Sequence, residues 1–246
     1  MESSQRLIKQ GFSHVVAAGR GITAFGDNPP ENVITLSAAV HDPAARAALL
    51  NRLIEGHAGQ WLMVSFNGDF MFHPFCETRG VKDLIEFLWS ERRASAMAYS
   101  IDLYSDDMIG AGVPNPDDSW FDRRGWYGFD RGNGLIDVYG GLGWRYEEYA
   151  PLSVSRINRP ALFRASAGVR IRDDLWFEDD SLNTVACPWH NNPSIALMSF
   201  RRTRLVLEHP NFRSAISSLQ WPNSERFEWR SGQLISHGLI EAGQWI

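Results

Sequence analysis

Lysine is nearly missing from this chain: Lys9 and Lys82 are the only two among its 24 basic residues, and arginine supplies the rest. Arginine's planar fork suits bidentate anion binding, although a biased genome composition explains the same skew. An excess of positive charge is missing as well. The 29 acidic residues leave a net charge of -5, without the basic footprint of a nucleic-acid binder, so no nucleic acid is expected as a partner. Cysteine is limited to Cys76 and Cys187, too few for a disulfide framework and without metal-ligand spacing. Free thiols, as in a cytoplasmic protein, are the expectation. No apolar run approaches the roughly 20 residues that cross a bilayer. The opening Met1-Glu2-Ser3-Ser4-Gln5-Arg6 lacks the basic-then-apolar order of a signal peptide. There is no internal repeat and no low-complexity tract.

What is present suits one globular domain: 246 residues, 44% of them hydrophobic. Strands are expected at 14–18 and 33–38, with a Gly/Pro/Asn loop between them. Asp42-Pro43 offers an N-cap and a proline at the first helical position, and the helix behind it places Ala45, Leu49 and Leu53 on one face and ends near Gly56. The apolar run Trp61-Leu62-Met63-Val64-Ser65-Phe66 reads as a strand covered on both faces. Val81, Leu84, Ile85 and Leu88 then mark an amphipathic helix with Thr78 as its cap, and alternating Met97, Tyr99, Ile101 and Leu103 mark a half-buried strand. That order is the pattern of a layered α/β fold.

From 105 to 150 regular patterning fades and aromatics take over: Trp120-Phe121, Trp126-Tyr127, Phe129, Tyr139, Trp144, Tyr146 and Tyr149. Such rings, with Trp126 and Trp144 foremost, could form a sugar-binding platform or a satellite core under a long loop. A further strand is expected at 195–200, and a short helix after Asn211.

Several residues are candidates for chemistry. Asn67-Gly68 between apolar runs is the signature of a tight hairpin with positive φ at both central residues; the other reading is a ligand site at a strand end, with Asp69 as its carboxylate. Asp102 is a catalytic or binding carboxylate at a strand's carboxyl end, or a cap for the next turn. His190, in Pro188-Trp189-His190-Asn191-Asn192, is the best acid/base candidate. Arg20 beside two glycines, and Arg201 in Arg201-Arg202-Thr203-Arg204, could hold a diphosphate; the plain alternative is a flexible loop and a solvated strand end. The pairs Asp106-Asp107, Asp117-Asp118, Asp173-Asp174 and Asp179-Asp180 read as solvated, and Gly141-Leu142-Gly143 is not a dinucleotide loop, since Tyr146 takes the third glycine position.

The stretch 61–104 resembles the central part of bacterial family 2-type glycosyltransferases. There, a strand beginning with Trp leads into Asp-Ala-Asp-Glu-Phe, then Tyr-Pro-X-Cys-Glu-Thr-Arg, an amphipathic helix and a strand ending Leu-Asp-Met-Tyr. This chain has Asp69-Phe70, His73-Pro74-Phe75-Cys76-Glu77-Thr78-Arg79 and Ile101-Asp102-Leu103-Tyr104 in the same order. Gly11-Phe12-Ser13-His14-Val15-Val16 resembles the family's first nucleotide-binding strand, and Leu197-Met198-Ser199-Phe200-Arg201 resembles a late Leu-Leu-His-Phe-Lys strand.

The resemblance implies a GT-A-like fold, a single compact α/β domain with a mixed sheet flanked by helices, having a nucleotide-binding-like part over 1–104 and an aromatic-rich acceptor-like part over 105–246. It also implies transfer of a sugar from a nucleotide-sugar donor. The chain departs from the pattern at the metal. Phe66-Asn67-Gly68 stands where the family has its metal-binding Asp-X-Asp, Ala18-Gly19-Arg20-Gly21-Ile22-Thr23 replaces an acidic nucleotide loop, and Ser199 stands where the family has His. Metal-dependent transfer is therefore expected to be weak or lost, with no cofactor, and Mn or Mg only through another site. The substrate-contact candidates are Arg20, Asn67, Trp126, Trp144 and Arg201, and the catalytic candidates are Asp69, Asp102 and His190. The alternative is a non-catalytic carbohydrate-binding or protein-interaction module on the same fold, as a homodimer or with a protein partner.

Overall fold

The structure, a computed structural model, describes residues 2–20, 29–132, 134–147, 156–184, 186–187 and 190–245. In chain order, helix α1 (Glu2–Lys9) leads into strands β1 (Val15–Gly19) and β2 (Val33–Ser37), helix α2 (Pro43–Gly56) and strands β3 (Trp61–Met63) and β4 (Asp69–Phe72). Helix α3 (Val81–Ser90) precedes strand β5 (Ser95–Tyr104), followed by α4 (Asp107–Ala111), β6 (Trp120–Asp122), β7 (Tyr127–Gly132), β8 (Leu135–Tyr139) and α5 (Leu142–Arg145). Next come β9 (Asn158–Arg164), β10 (Ala186–Cys187), β11 (His190–Asn191) and β12 (Ile195–Ser199). Helices α6 (Arg201–Leu207) and α7 (Pro210–Ala215), strand β13 (Ser224–Arg226) and helix α8 (Ser231–Ser236) complete the order. These elements form two compact units, neither a continuous stretch. The first comprises Met1–Val64, Cys76–Met97 and Arg159–Thr184; the second comprises Ser65–Phe75, Ala98–Asn158 and Val185–Ile246.

In the first unit β1 and β2 form a two-stranded parallel sheet, in register from Val15↔Val33 to Gly19↔Ser37. Helix α2 starts as its sequence demands: the Asp42 carboxylate accepts the Ala45 N–H at 2.8 Å and Pro43 fills the first turn. Of the face expected from spacing by four, Leu49 is buried and Leu53 half-buried while Ala45 is exposed, and Ala47 and Ile54 are buried besides. Helix α3 buries Val81, Leu84 and Leu88. Its cap is Gly80 rather than Thr78: the Asp83 carboxylate accepts the Gly80 N–H at 2.7 Å, bracing the first turn.

Two asparagines complete this unit by standing in for strand backbone. Asn51 accepts the Ile171 N–H at 2.8 Å and donates to the Ile171 carbonyl at 3.0 Å. Asn183 does the same to Phe177, both bonds at 2.9 Å. An amide offers one donor and one acceptor side by side, so each satisfies a residue's whole backbone demand.

The second unit is built on a mixed sheet in the order β13-β6-β5-β12-β4. Strands β5 and β12 run parallel, from Ile195↔Ala98 to Ser199↔Asp102, while β12 and β4 run antiparallel. The α/β class with a mixed sheet expected from the sequence is what the chain adopts. Strand β12 is buried at all five positions, as a continuous apolar run covered on both faces should be. Strand β5 is buried at most positions on both faces rather than on one, so its alternating pattern understates its place in the core.

The run at 61–66 does not form the buried strand its composition suggests. Only β3 is extended, half-exposed at each position, and it pairs antiparallel with β9. The following Asn67-Gly68 is not a hairpin turn, since β4 pairs with β12 and not with β3. Instead the Asp69 N–H donates to the Phe66 carbonyl at 3.0 Å, and Gly68 alone has positive φ, at 87°. Such a turn needs glycine at its third position only.

Between 105 and 150, where irregular structure was expected, lie α4, β6, the β7–β8 ribbon and α5. A buried polar network anchors this part. Asp122 accepts from the Tyr104 hydroxyl at 2.5 Å, from Arg145 at 3.0 Å and from the Trp221 indole at 2.7 Å. A buried carboxylate is tolerable only when paired and hydrogen-bonded in this way. Burial first, and the Asp122 charge second, push the Tyr104 phenol well above its ordinary range, so it stays protonated and donates. The acidic pairs are more than solvated charge: Asp106 accepts the Leu219 N–H and Asp179 the Ser181 N–H, both at 2.9 Å.

Candidate functional site

Strand direction brings three polar residues to one end of the second unit's sheet. Strands β5 and β12 both finish there and β4 begins there, so Asp102, Ser199 and Asp69 form one cross-strand row. With neighbouring strands about 4.8 Å apart, Asp69 and Asp102 stand about 10 Å from each other across Ser199. All three are buried.

Each member of the row is already bonded. Asp69 Oδ2 accepts the Phe66 N–H at 2.8 Å, closing the turn that carries exposed Asn67. Ser199 Oγ accepts the Arg201 N–H at 3.2 Å as the chain turns into α6. Asp102 Oδ2 accepts the Leu142 N–H at 2.9 Å and the Arg202 guanidinium at 3.2 Å. Burial drives the Asp102 carboxyl above its ordinary value, and the Arg202 charge and the Leu142 bond oppose that rise without cancelling it. Asp102 caps a distant helix, not the turn that follows it.

A glycine makes that cap reachable. Gly141 has φ 73° and ψ −161°, a region essentially confined to glycine. A Cβ there would lie 2.4 Å from Asp102 Oδ2. The Gly140-Gly141 pair was the sequence signal for this close approach, and it reads as a carboxylate cradle and not as a nucleotide loop.

The arginines at the start of α6 divide the work. The expected strand end is a helical turn. Arg202 is tied to Asp102 and to the Gly140 carbonyl at 3.4 Å. Arg201 is exposed, and its guanidinium lies over the Phe66 ring at 4.4 Å from the centroid. Among the described residues its guanidinium makes no hydrogen bond or ion pair. The aromatic face holds the cation by its quadrupole and leaves the planar donors open.

The remaining candidates lie elsewhere. Trp126 donates its indole N–H to the Asp122 carbonyl at 3.1 Å and lines a cavity of the second unit. Trp144 stacks on exposed Tyr127, with ring centroids 5.0 Å apart. Trp126 and Trp144 thus do different jobs. Arg20 is exposed just after β1 in the first unit, and Gly21, Ile22 and Thr23 of its loop lie outside the described residues. His190 belongs to the two-residue β11, but its side chain, like Pro188, Trp189 and Tyr149, lies outside the described residues. The Cys76 thiol donates to the Glu77 carboxylate at 3.7 Å. Among the described residues no group of three or more His, Cys, Asp or Glu stands together to hold a metal ion, and no helix is long and apolar enough to cross a membrane.

No protein-family model matches the chain, and no curated protein or solved structure matches it either.

Proposed function

We propose that the chain is a family 2-like glycosyltransferase by descent, on a GT-A-like fold, that engages a nucleotide-sugar through arginine rather than through a divalent ion. The observation that carries this reading is Arg201, laid over Phe66 with its donors open beside the turn that resembles the family's metal seat. The residues at that turn do not fit a divalent ion. Phe66 has no ligand atom, Asn67 is exposed, and one Asp69 oxygen is committed to the Phe66 N–H. A guanidinium can neutralise a diphosphate and bind it bidentately. It does not replace the Lewis acidity of a metal, which contributes several kcal/mol to such a transition state. Transfer is accordingly weak or absent.

A second reading, retention as a binding module without catalysis, is favoured by the bonding of Asp69 and Asp102. Both carboxylates hold the local fold, which leaves neither free to act as a base.

Thermal unfolding with nucleoside diphosphates and nucleotide-sugars, with and without Mn²⁺, tests the proposal. A ligand at a hundred times its Kd adds about 2.7 kcal/mol of stability. Stabilisation is expected without metal, unchanged by Mn²⁺ and abolished by Arg201→Ala. Stabilisation that requires Mn²⁺, or no response to any nucleotide, would overturn it. A transfer and hydrolysis assay on the same samples separates the slow enzyme from the binding module.

A further inference from the structure

The second unit contains a cavity of about 410 Å³ that the strand-end row does not use. Its size falls in the range of small-molecule sites, from about 300 to 1,000 Å³. Tyr99, Arg123, Arg124, Trp126, His237 and Glu241 line it, over apolar Ile101, Val138 and Ile157. Two arginines against one glutamate make the lining cationic in a chain whose net charge is -5.

The polar groups are unevenly committed. His237 shares a 2.9 Å bond with Glu225, and Arg123 forms an ion pair with the same carboxylate at 3.6 Å. The buried Arg123 Nε has no hydrogen-bond partner. The side chain of Arg124 is exposed and makes no hydrogen bond or ion pair among the described residues. The Arg124 guanidinium, left open on a concave wall beside the Arg123 cation, favours an anion, because a charged acceptor makes the stronger hydrogen bond to it. The opposite character is equally plain. The Trp126 indole is fixed by its bond to the Asp122 carbonyl, giving a rigid aromatic wall. Burial, then the Glu241 carboxylate, push the Tyr99 phenol up to about 12, so it remains a hydroxyl donor.

We infer that this cavity is a binding site for an anionic monosaccharide, its ring against Trp126, its hydroxyls toward Tyr99 and Glu241, and its phosphate or carboxylate on Arg123 and Arg124. An aromatic face suits the C–H face of a pyranose, and the neighbouring hydroxyl and carboxylate match its hydroxyl groups. The inference is independent of Arg201 and of the nucleotide reading above.

Calorimetric titration of the full chain with glucose 6-phosphate, glucuronate, glucose and inorganic phosphate tests it. At least one of the two anionic sugars is expected to bind, and whichever binds more tightly identifies the anion as phosphate or carboxylate. Glucose and inorganic phosphate should each bind at least about tenfold more weakly, the step that one charge-assisted contact of 1.4 kcal/mol represents. Arg124→Ala should weaken the sugar by a similar factor and Arg124→Glu should abolish binding, with unchanged melting curves because Arg124 holds nothing in place. Arg201→Ala should leave this affinity untouched. No binding of either anionic sugar overturns the inference. So does glucose or phosphate binding as tightly as the best anionic sugar, full affinity in Arg124→Glu, or loss of affinity in Arg201→Ala.

Discussion

Asp102 shows how much a single residue's role depends on what comes to meet it. Its carboxylate lies at the carboxyl end of a strand, where a catalytic group is expected, yet it is covered by Leu142 and Arg202. Gly141 permits this, and a matched pair of variants isolates that permission. Gly141→Ala places a Cβ 2.4 Å from Asp102 Oδ2, whereas Gly134, also at positive φ, has open space around it. Gly134→Ala should cost only the left-handed strain of about 1 kcal/mol, and Gly141→Ala should cost about 3 kcal/mol or more. Urea denaturation reads both; equal losses would show that the cradle around Asp102 carries no energy. Asparagine carries the same lesson. Asn158 accepts the Val138 N–H at 2.8 Å and donates to the Ile136 carbonyl at 2.6 Å, as Asn51 and Asn183 do for their own partners. An asparagine in an apolar context reads locally as a turn, and its use as a substitute strand emerges only when the distant backbone arrives.

At the scale of elements, caps were legible where they are local and obscure where they are not. Asp42-Pro43 announces α2 because both signals act within one turn. For α3 the residue type pointed to Thr78, while the bond comes from Asp83, three residues inside the helix from Gly80. Asp42→Ala and Asp83→Ala should each destabilise the fold by about 1 kcal/mol in chemical denaturation. If Asp83→Ala were neutral, the start of α3 would owe nothing to that carboxylate. The ribbon β7–β8 was missed because its strands are short and aromatic, and β7 is exposed along its whole length, so neither face shows the alternation that burial imposes. Strand β3 failed in the opposite sense. Apolar content marks residues that gain from leaving water, but it does not say which neighbour covers them.

At the scale of the whole molecule, Glu225 and Asp102 contribute pH dependences of opposite sign. Burial acts to raise Glu225, but the bonds from His237 and Gln233 outweigh it and hold the carboxyl below its ordinary value. A depressed carboxyl stabilises the fold above its unfolded pKa and loses that contribution as pH falls through the folded value. Asp102, raised by burial above what Arg202 and Leu142 restore, costs stability at neutral pH, and acidification through its folded pKa relieves that cost. The stability gap between the parent chain and Glu225→Gln should therefore be widest near neutrality and close below about pH 4, the ordinary carboxylate range. Denaturation curves at stepped pH check this; a gap constant down to about pH 3 would remove Glu225 from the account. By itself the sequence determined the α/β class, the helices α2 and α3, the strands near β1, β2, β5 and β12, and a positive charge carried almost wholly by arginine. Those features are written in period, caps and composition, which act over a few residues. Only the tertiary structure decided that Asp69, Ser199 and Asp102 share a row, that Arg202 is held while Arg201 is left open, and that Trp126 and the two arginines line one cavity. Strand order and register set those encounters, and both arise from contacts between segments far apart in the chain, which no local pattern encodes.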